Sequence, residues 1–192
     1  LLLCQNHEGY LNLSELISKA YLNEQGISIV SVTEEQLISH QKGLLMIATP
    51  ISSDISQLLL ANELELAHTK AKSWQAIFKN RYYISVQRTD RHSDENLLNL
   101  TIELGLKLDI PVVATNDVQF LSKSDFDAHE ARICIAEGSL LDDSRRLKFF
   151  SDSQYLKTTN EMYELFKDYP QLIANASEVA KRCNLHFKLF EK

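Results

Sequence analysis

The chain has 192 residues, 44% of them hydrophobic, which is enough to bury one substantial core. Its formal net charge of −6 argues against a domain whose main work is gripping phosphates, since that needs clustered cations and its lysines and arginines are scattered. No apolar run reaches the roughly 18 residues of a membrane span, and Cys4, Cys134 and Cys183 are too dispersed for a Cys-x-x-Cys site or a disulfide framework, as in a cytoplasmic protein with reduced thiols.

The chain opens on an apolar strand, Leu1–Cys4, with neither an initiating Met nor a signal-peptide layout, and reads as a fragment. From His7 to Tyr21 the residues Tyr10, Leu13, Ile17, Ala20 and Tyr21 share one helical face, which predicts that this face meets the core. Ile27–Val32 fits a short strand or an extended arm. Thr33 and Gln36 have capping-box spacing and open a short helix that ends near His40.

Gly43–Ala48 is a buried strand whose carboxyl-end loop runs from Thr49 to Ser53. Asp54 onward is helical, with Ala67, Ala71, Trp74 and Phe78 facing a core. Arg81–Gln87 is the next strand, followed by a helix with Ser93 as N-cap and Leu97, Thr101, Leu104 and Leu108 along one side. Then comes Ile110–Ala114, an apolar β-branched run without alternation, so a strand buried on both faces. This alternation of strand and helix predicts a parallel α/β arrangement with right-handed crossovers.

Thr115, Asn116 and Asp117 follow that strand, and polar groups at the carboxyl end of a buried parallel strand are where α/β proteins build their sites. Asp117 is therefore the first candidate for chemistry. A helix is expected to start at Asp125, where Ser124 and Asp127 have capping-box spacing, and to carry His129 and Glu130 in its first turns. After Gly138 the periodicity lapses, and Leu140–Leu156 reads as a connecting segment in which Asp142, Asp143, Arg145 and Arg146 make a solvated charged turn. Two helices close the chain, one capped by Thr158 with Glu161 and one from Pro170 through Arg182.

VVATND and DFDAHE resemble the corresponding stretch of the PHP (polymerase and histidinol phosphatase) domain of bacterial replicative DNA polymerases, proteobacterial type. NHEGYLNLSELISKAY, GLLMIATPISSDISQLLL, RYYISVQRT and TTNEMYELFKDYPQLIANASEVAKRCNL extend the likeness, in order, over essentially the whole chain. The resemblance implies an α/β fold, a partial (β/α)7 PHP barrel of distorted TIM-like form with a C-terminal helical segment. Residues 1–138 would be the barrel part lacking its N-terminal strands, and 139–192 the connecting segment and helical pair leading towards the polymerase palm. An open sheet edge left by missing strands would invite pairing with another copy or local disorder.

Active members of the family hold divalent metals at the carboxyl ends of the strands, where close cations activate water and stabilise a phosphoryl displacement. Carried onto this chain, the closing Asp-x-His motif is Asp117-Val118-Gln119, so an amide stands in place of imidazole. A position that is often Cys falls on Pro50, a Glu position on Ser85, and a loop His on Thr89. These are vestigial metal-site positions, and the resemblance implies no catalytic residue, bound metal or cofactor in this chain. Asp117 is a leftover ligand or, more commonly for such a group, a carboxylate hydrogen-bonded to loop amides. His129 could ligate a metal, but such a residue more often pairs or packs locally. His7, His40, His68, His92 and His186 share no ligand spacing.

Two functions follow from this. The first is a catalytically silent scaffold that stabilises a replicative DNA polymerase and docks its proofreading exonuclease subunit, in the cytoplasm. Its other partners would be the rest of the replicative holoenzyme and, through the parent polymerase, DNA. Nucleotidyl transfer with Mg²⁺ would then belong to the parent, whose palm aspartates lie beyond this stretch. The alternative is a metal-dependent phosphoesterase or proofreading nuclease.

Overall fold

Four apolar runs join into one sheet in the computed structural model, which describes residues 1–22, 30–143, 145–146 and 148–187. They are β1 (Leu2–Cys4), β2 (Leu44–Ala48), β3 (Tyr82–Val86) and β4 (Val112–Ala114), each within a residue or two of its expected bounds. Strand order is β1-β2-β3-β4, with β2–β3 and β3–β4 parallel, as expected. β1, however, runs antiparallel to β2, pairing Leu3 with Leu45, so the sheet is mixed.

The reason lies in α1 (His7–Leu22). Gly9, in its first turn, touches Gly43 at the entrance to β2, so β2 begins beside the end of β1 and no crossover intervenes. A Cβ on Gly9 would sit 1.9 Å from the Gly43 carbonyl oxygen. That close approach also turns the helix. Gly9, Leu16 and Ala20 face inward, while Tyr10, Ile17 and Tyr21 of the expected core face are exposed. Leu13 remains half-buried against the core.

α2 (Glu34–Ser39) starts at the expected Thr33–Gln36 box, with both of its hydrogen bonds made. Residues 27–29 of the expected strand or arm lie outside the described residues, and Val30, Ser31 and Val32 form neither helix nor strand. The single helix expected after Asp54 is two, α3 (Asp54–Leu60) and α4 (Leu64–Phe78), because Asn62 adopts the left-handed conformation (φ 59°) and breaks the run. α5 (Asp94–Leu108) buries Leu97, Thr101, Leu104 and Leu108 as its spacing predicts, although Ser93 makes no side-chain cap. The capping box before α6 (Phe126–Glu137) is Ser122 with Asp125, two residues earlier than expected, around a short 3₁₀ turn at Lys123–Asp125. α7 (Thr159–Leu165) and α8 (Pro170–Lys181) follow the Thr158–Glu161 box and the N1 proline.

The pleat divides the core. Leu44, Ala48, Tyr82 and Ile84 point to one side, against Leu16 of α1, Ile55 and Leu59 of α3, Trp74 and Phe78 of α4, and Leu104 of α5. Leu45, Ile47, Tyr83 and Val113 point to the other, where Val179 of α8 packs with Leu3, Ala176 and Cys183. A third cluster joins Val112 and Ala114 of β4 to Phe166, Leu172 and Ile173, and Asn175 Nδ2 donates to the Val112 carbonyl at 2.8 Å. The C-terminal helices thus cover the β4 edge. Across the expected boundary at Gly138 the two parts share this core. No helix among the described residues is long and apolar enough to cross a membrane.

Candidate functional site

The loops that leave β2, β3 and β4 at their carboxyl ends converge on a cavity of about 940 Å³. Pro50, Ser85 and Asp117 line it together with Gln87, Arg91 and Asn116, and residues 148–151 of the connecting segment form part of its wall. Three of the five positions singled out from sequence therefore share one space. Thr89 and Gln119 are joined to it through neighbours.

Asp117 is held by side chains rather than by loop backbone. Gln119 Nε2 donates to its Oδ1 at 2.9 Å, while Gln154 Nε2 (2.9 Å) and Arg91 Nη2 (3.2 Å) both donate to Oδ2. Gln154 is wholly buried and also donates to the Asp117 carbonyl, and its own carbonyl accepts from the Gln119 amide. Arg91 is bound in turn to the connecting segment, donating from Nη2 to the Phe149 carbonyl at 3.2 Å.

Thr89 is fully buried. Its amide and hydroxyl both donate to Asp94 Oδ2, at 2.6 and 3.0 Å, and the Arg91 amide adds a third bond at 3.3 Å. Asp94 thus does the work expected of Ser93, gathering the loop amides at the start of α5. The Thr89 carbonyl accepts from the Ser151 hydroxyl. Ser85 turns its hydroxyl to the Ala48 carbonyl at 2.9 Å, tying β3 to β2, and Pro50 offers no donor.

His129 is buried on α6, between Phe120 and an edge-on Phe150 with ring centroids 4.7 Å apart. Arg132 Nη2 donates to its Nδ1 at 3.1 Å. Burial, and then the neighbouring Arg132 charge, hold its pKa below the ordinary histidine value. This is the packing role. Of the expected solvated turn, Asp143 and Arg145 do pair at the surface, but Arg146 makes a buried ion pair with Glu130, their side chains 5% and 6% exposed. Neighbours in sequence cannot reveal such a pair, because its two members are 16 residues apart.

Among the described residues, no three His, Cys, Asp or Glu side chains meet where they could hold a metal ion. The groups around Asp117 do not fit a divalent cation either. They are a guanidinium and two amide nitrogens, all donors, and they already fill both carboxylate oxygens. Sequence reasoning missed Arg91, Asp94 and Gln154. Arg91 and Asp94 at least sit in a strand-end loop, whereas Gln154 lies in a segment without periodicity and carries no local signal.

An α/β sheet whose polar residues gather at the carboxyl ends of its parallel strands is the class to which the comparisons point: residues 1–89 match the PHP domain family. Over 98% of its length the chain is similar to DNA polymerase III subunit alpha of Pseudomonas fluorescens, at 44% identity across 188 residues, and of Escherichia coli K12, at 39% across 189. The same subunit of Vibrio cholerae is 37% identical over 190 residues. The resemblance read from the sequence is borne out. The chain spans 16% of the length of these relatives.

Proposed function

We propose that this chain is a catalytically silent PHP scaffold within a replicative DNA polymerase, part of a (β/α)7 barrel that stabilises the polymerase and docks its proofreading exonuclease subunit. The observation that carries this reading is the set of hydrogen bonds at Asp117. The Arg91 guanidinium supplies the positive charge that a metal would otherwise bring to the carboxylate, and the two glutamines complete its coordination. These bonds run to Gln154 and, through Arg91, to Phe149, so a position that binds metal elsewhere in the family here fastens the connecting segment over the carboxyl ends of the strands. Pro50 and Thr89 remove two further donors. In the parent, nucleotidyl transfer with Mg²⁺, the contact with DNA and the remaining holoenzyme contacts fall outside this stretch, and the setting is the cytoplasm.

The test is elemental analysis of purified protein, with hydrolysis of a phosphodiester in added Zn²⁺ or Mn²⁺. Losing even an outer partner of a metal ligand costs ~10–100-fold in affinity, so replacing several ligands should leave neither stoichiometric metal nor activity. Stoichiometric metal, with hydrolysis that disappears in Asp117→Ala, would instead establish a phosphoesterase or nuclease.

A further inference from the structure

Two donors belonging to the wall of the cavity of about 940 Å³ have no acceptor among the described residues. Gln87 stands one residue past β3 and is only 4% exposed, yet its Nε2 is unpartnered. Arg91 spends Nη2 on Asp117 and on the Phe149 carbonyl, while its buried Nη1 binds nothing. A buried N–H without an acceptor is costly, and native structures almost always supply one. Both side chains line the cavity, so an acceptor that entered it would satisfy them.

Charge decides the class of occupant. Two orphaned N–H donors have nothing to offer a cation. Asp90, Asp94 and Asp117 on the wall outnumber Arg91 and Lys148, so an anion would add to a surplus of negative charge. A neutral acceptor remains, and a carbonyl oxygen is the commonest. The rest of the wall sets its shape. Ile51, Leu60 and Leu97 make it apolar, and Phe149 adds an aromatic residue that is 57% exposed. Two bonds from Arg91 tether the Phe149 carbonyl, at 3.2 Å from Nη2 and 3.4 Å from Nε. An exposed aromatic side chain on an anchored backbone is a platform for a flat ring.

We propose that this cavity binds a neutral, planar heterocycle carrying carbonyl oxygens, the chemistry of a pyrimidinedione or purinone base. Gln87 Nε2 and Arg91 Nη1 donate to the carbonyls, and Phe149 stacks on the ring. The volume of about 940 Å³ falls within the ~300–1,000 Å³ of small-ligand sites. The inference rests on the metal-free reading of Asp117, because with Nη2 committed to that carboxylate, Nη1 is what Arg91 has left to offer.

Uracil titrated into the full-length polypeptide in excess EDTA, and followed by saturation-transfer NMR, tests this. The chelator keeps any metal out of the result, whereas the elemental analysis decides the metal reading separately. The expected outcome is saturable binding that weakens about tenfold in Gln87→Leu and in Phe149→Ala, the effect of one lost hydrogen bond or one lost stacking partner. Gln87→Leu should keep the wild-type thermal midpoint, since it removes an orphaned donor. Phe149→Ala, at an exposed position, carries the test if Gln87→Leu unsettles the fold. No saturable binding, an affinity unchanged in a folded variant, displacement of uracil by inorganic phosphate, or binding of oligothymidylate but not of uracil would each overturn the inference.

Discussion

Glu161 shows how much a single side chain can do at the surface. Its carboxylate accepts from the Tyr155 hydroxyl at 2.6 Å and from the Thr158 hydroxyl and amide, both at 2.7 Å, and so closes the capping box of α7. Tyr155 first, and then Thr158, pull its pKa from 4.5 down to about 2. An acid with a depressed folded pKa contributes stability that is present above its unfolded value and is lost as pH falls through the folded one. Thermal midpoints of the wild type and Glu161→Gln should therefore differ above pH 4.5 and converge as pH falls towards 2. A gap that stays constant through that window would refute the assignment. The Thr158–Glu161 box was legible because both partners lie within four residues. Asp117 was legible as a candidate for the same kind of reason, its place at a strand end. Its partners Arg91 and Gln154 come from 26 and 37 residues away, and no local pattern encodes them.

Among the elements, α1 is the instructive one. Its period and its end-points follow from the sequence, but its rotation does not, since two faces compete and the larger side chains lose. Gly9 wins because it lets the backbone come against Gly43, a contact that any side chain would obstruct. Gly9→Ala should push α1 off the entrance to β2 and cost ~1–3 kcal/mol or more, as overpacking does. Urea denaturation would measure it. A change within ~0.5 kcal/mol, the range of an ordinary surface substitution, would mean that the contact matters little. The same contact explains why β1 escaped the parallel arrangement. Alternation of strand and helix shows that a connection exists, but not whether it crosses the sheet or doubles back, and here one glycine against another decides.

For the whole molecule, the question is how far residues 1–138 can stand without the helices that follow. Phe166, Leu172, Ile173 and Val179 are all buried on the sheet or its β4 edge. At ~1.5–3 kcal/mol for each such side chain, their joint contribution of ~6–12 kcal/mol is comparable with the ~5–15 kcal/mol by which a whole domain is stable. A chain ending at Gly138 is therefore expected to lose its cooperative thermal transition and to bind hydrophobic dyes. One that unfolded at the same midpoint as the longer chain would show that the helices are an appendage. The sheet has a further property with consequences for biosynthesis. Its strands lie side by side in the order in which they are translated, 1-2-3-4. Each new strand can join the edge left by the one before it as it emerges from the ribosome, with no need to wait for a distant partner or insert between strands already paired. Loop closure is then met in short instalments, and the last exposed edge is sealed by a helix made some 60 residues later.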